Sequence, residues 1–265
     1  MADLVYARLV GARLRSQLVY RASFTIDFLT QIIAQCTELV VILVLFDRID
    51  ALGGFTRDEV VLMYAFAGAA FGVADLFAGQ LDNLPTYIRT GSFDVLLMRP
   101  LGTLPQIMCT DIRLRRIGRI AGALGAMGYA LAHVTVEWTP AKVVLAVLTP
   151  VAGAVIFSAV WVVACSVCFW IVEGREFANA VTYGGNSFTS YPINVYSRPL
   201  RWLMAFVVPG AFVAYYPSLT LLGKQDPLGF PGWTGWTSPL VAVLAAGVAG
   251  LVWRFAVRHY RGTGS

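Results

Sequence analysis

Asn83-Leu-Pro-Thr-Tyr-Ile-Arg-Thr-Gly-Ser-Phe-Asp-Val-Leu-Leu-Met-Arg-Pro-Leu-Gly-Thr-Leu-Pro-Gln106 is the longest stretch of this chain that does not read as membrane-like. Apolar runs flank it, and Arg113, Arg115, Arg116 and Arg119 follow it. Tyr87, Ile88, Phe93, Leu96 and Leu97 recur at spacings that give short helices an apolar stripe. Pro85 suits a first helical turn, and Gly91 suits a break between two short helices. Pro100 and Pro105 are expected to stop any continuation. The stretch predicts a compact amphipathic elbow, residues 81–106, held against a membrane surface or against a partner protein.

The composition around it fixes the medium. The chain has 265 residues, 58% hydrophobic and 13% charged. Its mean hydropathy is +0.69. A soluble domain would carry about 25% charged residues. Several runs approach the roughly 20 apolar residues that cross a bilayer, too long and too continuous for barrel strands. The expected fold class is therefore an all-α integral membrane protein. No cleavable signal peptide is expected, because Arg8, Arg13, Arg15 and Arg21 interrupt the first 21 residues. The net charge of +5 comes from basic residues at the ends of apolar runs, which argues for topology signals and lipid head groups, not nucleic acid. Cys36, Cys109, Cys165 and Cys168 all sit in or beside apolar segments. The Cys165/Cys168 pair, in mid-helix, reads as packing, not as a metal or redox site.

Six spans are expected. Residues 1–21, with Leu4, Leu9, Leu14 and Leu18 among arginines, read as an interfacial amphipathic helix. Span one, 22–46, carries Gln31, Gln35 and Glu38 on one face, and a polar face at that depth meets protein or water. It reads either as a pathway wall or as a buried helix contact. Span two, 60–79, has Gly68 and Gly72 at close-packing spacing and Asp75 near its inner end. Span three, 117–132, lines Gly118, Gly122 and Gly125 on one face, and span four, 143–172, is the most apolar. Two late segments compete for span five: 177–196, which holds Asn179, Asn186, Ser187 and Asn194, and 200–222, which Pro209-Gly210 interrupts. The last span is 238–257, preceded by Trp233 and Trp236 at interface depth. With the elbow cytoplasmic, 14 of the 20 Lys and Arg residues fall inside, leaving Arg48, Arg57, Lys142, Arg198, Arg201 and Lys224 outside. Making 200–222 the span would move Arg198 and Arg201 inside. Either way both termini are cytoplasmic.

Chemistry-bearing motifs are missing from the sequence. Gly223-Lys224 lacks the upstream glycine and the following Ser or Thr of a P-loop. His133 and His259 belong to opposite ends of different spans, which speaks against a His-based metal or nucleophile site. Glu38 and Asp75 are the buried acids that could relay protons, or be packed and hydrogen-bonded.

The elbow segment Tyr87-Ile-Arg-Thr-Gly-Ser-Phe-Asp-Val-Leu-Leu-Met-Arg-Pro-Leu101 resembles the cytoplasmic loop of permeases of the bacterial type-2 ABC exporter family, in its largely uncharacterised export-system branch. Gly11–Phe24, Ser190-Tyr-Pro-Ile193 with Pro209 and Tyr216-Pro217, and Arg258–Ser265 resemble other parts of the same family, so the likeness spans essentially the whole chain. The resemblance implies one permease domain, 1–265, in a bacterial cytoplasmic membrane. It implies a coupling helix at the elbow that docks in a groove of a separate ATPase subunit. Tyr87, Arg89, Gly91, Phe93, Asp94, Leu97, Arg99 and Pro100 would form this coupling site, with Arg89, Asp94 and Arg99 as polar contacts and Phe93 and Leu97 as apolar anchors. It implies residues 176–192 as span five and 198–222 as a re-entrant outer hairpin. It further implies a second permease chain packed through spans one and five, no cofactor on this chain, and ATP and Mg on the partner ATPase. Candidate pathway residues are then Gln31, Gln35, Glu38, Asn179, Asn186 and Ser187. A pathway with so few charges suits amphipathic or lipophilic cargo, drug-like or lipid. The residues also allow an ion- or proton-coupled carrier using Glu38 and Asp75, or a non-transporting assembly subunit. A neighbouring reading frame encoding an ATPase would separate these readings.

Overall fold

The computed structural model describes residues 21–110, 116–171 and 174–260. The interfacial helix expected over 1–21 lies outside them, apart from its last residue. So do Asp111, Arg113, Arg115, Glu173 and the last five residues. Among the described residues the chain is helical, with one isolated bridge, Leu52 to Phe55, in a turn.

The longest helices are α1 (Arg21–Phe46), α2 (Arg57–Ala78), α6 (Ile117–His133), α7 (Pro140–Ser166), α8 (Arg175–Thr189) and α11 (Ser238–Arg258). The elbow contributes α3 (Leu84–Arg89), α4 (Ser92–Leu97) and α5 (Thr103–Thr110). The late region contributes α9 (Arg198–Trp202) and α10 (Tyr215–Leu222). Local chemistry explains the starts. The Thr56 amide donates to Glu59 Oε2 at 2.7 Å ahead of α2. Thr139 Oγ1 accepts from the Lys142 amide at 3.3 Å, with Pro140 in the first turn of α7.

Four segments are long and apolar enough to cross a membrane: Thr25–Phe46, Arg57–Arg89, Pro140–Phe169 and Thr234–Arg258. Arg198–Val207 and Gly210–Leu222, bent by 72°, would count as a fifth if taken as one span. The expected spans three and five are helices where the sequence puts them, but α6 has 17 residues and α8 has 15, short of the usual 20 or so.

α2 is the axis. Val60 to Phe71 is buried without interruption, whereas only 11% of the α1 window is covered. α1 and α6 cover α2 on one flank, and α7 with α8 covers another; α11 packs on α7. Small residues permit the close crossings. A Cβ on Gly118 would stand 2.6 Å from the Phe28 carbonyl oxygen, and one on Gly153 would stand 2.7 Å from Ala70 Cβ. α2 also runs on through a 3-10 turn at Gly79–Asn83 into α3, so that Arg57–Arg89 is one helical segment of 33 residues, roughly 50 Å long against a hydrocarbon core of about 30 Å.

One expectation in the elbow is overturned. Gly91, with φ 69°, makes the break between α3 and α4 as expected. Pro105, however, does not end the helical structure. It sits in the first turn of α5, where its missing amide has no intrahelical partner to lose.

At the opposite end of the bundle, Asn194 Nδ2 donates to Gly53 O at 2.7 Å, and Lys224 Nζ donates to Gly54 O at 3.0 Å and pairs with Glu59 at 2.6 Å. Both residues that flank the bent segment are thus tied to the same glycine turn.

Candidate functional site

The elbow has an inner and an outer face, and the six-residue α3 and α4 are too short for their sequence to say which is which. Leu84, Pro85, Ile88 and Phe93 are buried. Phe93 lies edge-on to Phe169 at 5.2 Å, beyond the end of α7, and to Tyr260 at 4.9 Å, beyond the end of α11. Trp253 packs on Phe169 at 5.5 Å and donates to Thr103 Oγ1 at 3.1 Å. Gln106 Nε2 donates to the carbonyls of Leu96 at 3.1 Å and Leu101 at 2.9 Å, closing the elbow on itself. Burial first, and then the neighbouring Asp94 carboxylate, push the Tyr260 phenol above its ordinary value.

Phe93 therefore points into its own chain and cannot also fill a pocket on another protein. Its expected role as an outward anchor is corrected to that of a seat for the elbow. The outer face carries Arg89, Asp94, Val95, Leu97, Met98, Arg99 and Pro100, all exposed, with Met98 at 77%. Tyr87 is half-buried against the core, and Gly91 is partly exposed at the break.

Where the elbow meets the bundle, charges and rings interlock. Asp82, at the turn between α2 and α3, accepts from Trp161 Nε1 at 2.7 Å and from the Tyr183 hydroxyl at 3.2 Å. Asp75 near the end of α2 is ion-paired with Arg116 at 3.2 Å, both side chains under 10% exposed. Arg116 also donates to the carbonyls of Asp75 at 2.5 Å and Gly79 at 3.4 Å. Phe71 stacks on Trp161 at 5.3 Å and meets Phe157 and Tyr183 edge-on, with the Arg119 guanidinium 5.1 Å from its ring centre. This junction ties α2, α6, α7 and α8 to the root of the elbow. The sequence reading missed Asp82. The signal available was an acid at the inner end of an apolar run together with an indole N–H in another run, each needing a partner.

The residues singled out for a pathway fall into two groups. On α1, Gln35 is buried. Its amide donates to the Tyr64 hydroxyl, which in turn donates to the Gln35 carbonyl at 2.8 Å and to Glu38 Oε2 at 3.4 Å. Gln31 Cβ would stand 3.1 Å from a Cβ on Gly118, and Gln35 Cβ 3.2 Å from one on Gly122. Gln31 and Gln35 therefore form a helix contact, while Glu38 stays exposed. On α8, Asn179 and Asn186 are half-buried and Ser187 is exposed. α1 packs on α6 and α2, and α8 packs on α7 and α2, so one chain keeps the groups on separate flanks. Among the described residues no three His, Cys, Asp or Glu side chains gather as metal ligands.

A family model described as "ABC-2 family transporter protein" matches residues 32–264. The chain belongs to the ABC-2 transporter family. No curated protein and no solved structure gives a match. As an ABC-2 permease it is a multi-pass membrane protein and the transport component of such a system, not its catalyst, and permeases of this family typically partner with an ATPase subunit.

Proposed function

We propose that this ABC-2 permease is the membrane subunit of an ATP-driven exporter in a bacterial cytoplasmic membrane, and that the outer face of the elbow docks on a separate ATPase subunit holding ATP and Mg. The observation that carries this reading is the division of the elbow. Phe93 and Ile88 fasten it to the bundle, while Val95, Leu97 and Met98 stand exposed between Arg89, Asp94 and Arg99 at the far end of the 33-residue α2–α3 segment. An apolar cluster rimmed by both signs of charge is suited to a protein groove. ATP-driven closure of the ATPases would push on the elbow, and the Asp82 and Asp75–Arg116 junction would pass that push to α2, α6, α7 and α8. Such a push changes the cavity only if ATP favours one state over the other.

A second permease chain completes the path. The apolar face of α1, with Ile26, Ile33, Val40 and Val44, and the polar edge of α8 with Ser187 are exposed among the described residues. Packing two chains through α1 and α8 would line a shared cavity with Glu38, Asn179, Asn186 and Ser187 for amphipathic or lipophilic cargo. In this reading α6 and α8 complete six spans. The ties of Asn194 and Lys224 to one glycine turn support 198–222 as a re-entrant hairpin on the outer side, with both termini cytoplasmic. A proton-coupled carrier that used Asp75 beside Glu38 would have to break the buried Asp75–Arg116 pair.

The test is recovery of an ATPase with the tagged permease from gently solubilised membranes. Wild type should bring it down, and Leu97→Asp with Met98→Asp should not, at unchanged permease yield. Recovery unaffected by the two aspartates would overturn docking through this face.

A further inference from the structure

A groove of about 600 Å³ opens on the side of the bundle away from both candidate pathway groups. α2 forms its back, α6, α7 and α11 its walls, and α5 its floor; Val73, Met108, Ile120, Val155, Ala246 and Gly250 represent the five helices. Ser158 supplies the one side-chain hydroxyl among the lining residues. Along α7 the lining runs from Pro150 to Val162, about 18 Å at 1.5 Å per residue, close to one leaflet of a hydrocarbon core about 30 Å thick. The lining selects the occupant: it is almost wholly apolar and about one leaflet long, which suits a hydrocarbon chain.

Charge selects the head group. Arg254 and Arg258 follow Gly250 by one and two turns of α11, so the two arginines lie between the groove and the elbow end of the bundle. Both are exposed, and neither has a carboxylate partner among the described residues. Basic side chains at that level attract anionic lipid head groups.

We infer that this groove binds one acyl chain of an anionic phospholipid from the elbow-side leaflet, with the phosphate held by Arg254 and Arg258. The bound chain would lie on α5, against Leu104 and Met108, and so report the lipid's presence to the elbow.

The experiment is native mass spectrometry of the purified, delipidated protein offered phosphatidylglycerol or phosphatidylcholine. Wild type should retain one phosphatidylglycerol per chain, roughly tenfold in preference to phosphatidylcholine. Gly250→Leu adds a side chain where nothing lies within 4 Å of a new Cβ, and should cut retention of both lipids. Ala246→Leu, filling the same groove, should do likewise and guards against a folding defect in the first variant, as does an unchanged melting temperature. Arg254→Gln with Arg258→Gln should abolish the preference while leaving phosphatidylcholine retention unchanged. Equal retention of the two lipids by wild type, retention undiminished in both filled variants, or a second copy of the chain in place of lipid would each overturn the inference. None of these outcomes depends on an ATPase being present.

Discussion

The ring of Phe93 stands edge-on to that of Tyr260, their centres 4.9 Å apart. The contact holds the middle of the elbow to the far end of the chain. Phe93→Ala should cost about 3–5 kcal/mol of stability, the usual range for a buried phenylalanine. The check is thermal melting in detergent together with limited trypsin digestion. Cleavage after Arg89, already exposed and followed by Thr90, should accelerate in the variant, whereas Leu97→Ala should leave melting and digestion unchanged.

Asp82 joins three elements that lie far apart in the chain. Hydrogen bonds to a charged group contribute about 1.5–3 kcal/mol each. Asp82→Ala, which loses both hydrogen bonds, should therefore lower the melting temperature more than Tyr183→Phe, which loses one. In a double-mutant cycle with Asp82→Ala, Trp161→Phe should cost less than it does alone, because the hydrogen bond is already gone and only the lost ring packing remains. Full additivity would mean that the 2.7 Å contact contributes nothing.

The Asp75–Arg116 pair is buried on both sides. Removing one partner breaks a buried ion pair, at a cost of up to about 3–5 kcal/mol. Asp75→Leu alone should be poorly stable, and the double variant Asp75→Leu/Arg116→Met should recover most of the loss. Melting temperatures of the three proteins decide it. A double variant no better than the single would show that the other carbonyl contacts of Arg116 dominate.

The glycines of α6 are not equivalent. A Cβ at Gly118 meets backbone at 2.6 Å, whereas nothing lies within 4 Å of one at Gly125. Gly118→Ala should force α1 away and cost about 1–3 kcal/mol. Gly125→Ala should be neutral or stabilising, since alanine is favoured over glycine within a helix. Equal melting shifts for the two would contradict the packing described.

The sequence announced what local chemistry controls. Pro85 and Gly91 marked the start of α3 and the break after it, and the apolar runs located α1, α2, α7 and α11. It was silent where the deciding partner is remote. Gln35 could have been a pathway wall until Tyr64, 29 residues later in the chain, claimed its amide. Asp82 carries no local signature, because Trp161 and Tyr183 lie 79 and 101 residues away. Phe93 was assigned outward because a six-residue helix has too few turns to distinguish its faces. Pro105 was read as a stop, yet a proline within a first turn ends one helix and opens the next with equal ease. α8 was recognised as weakly apolar, and it is not among the helices long and apolar enough to cross a membrane.

The unbroken run from α2 into α3 turns angle into distance. A rod roughly 50 Å long that tilts by about 10° around its midpoint carries each tip some 4 Å sideways. One tip is the elbow, and the other begins at Arg57, beside the turn that Asn194 and Lys224 grip. A displacement imposed at one end therefore arrives at the other with opposite sign and without any helix having to unwind. If the segment tilts as one body about Gly68 and Gly72, where Gln35 and Ile120 press on it, its two ends move as the arms of a seesaw.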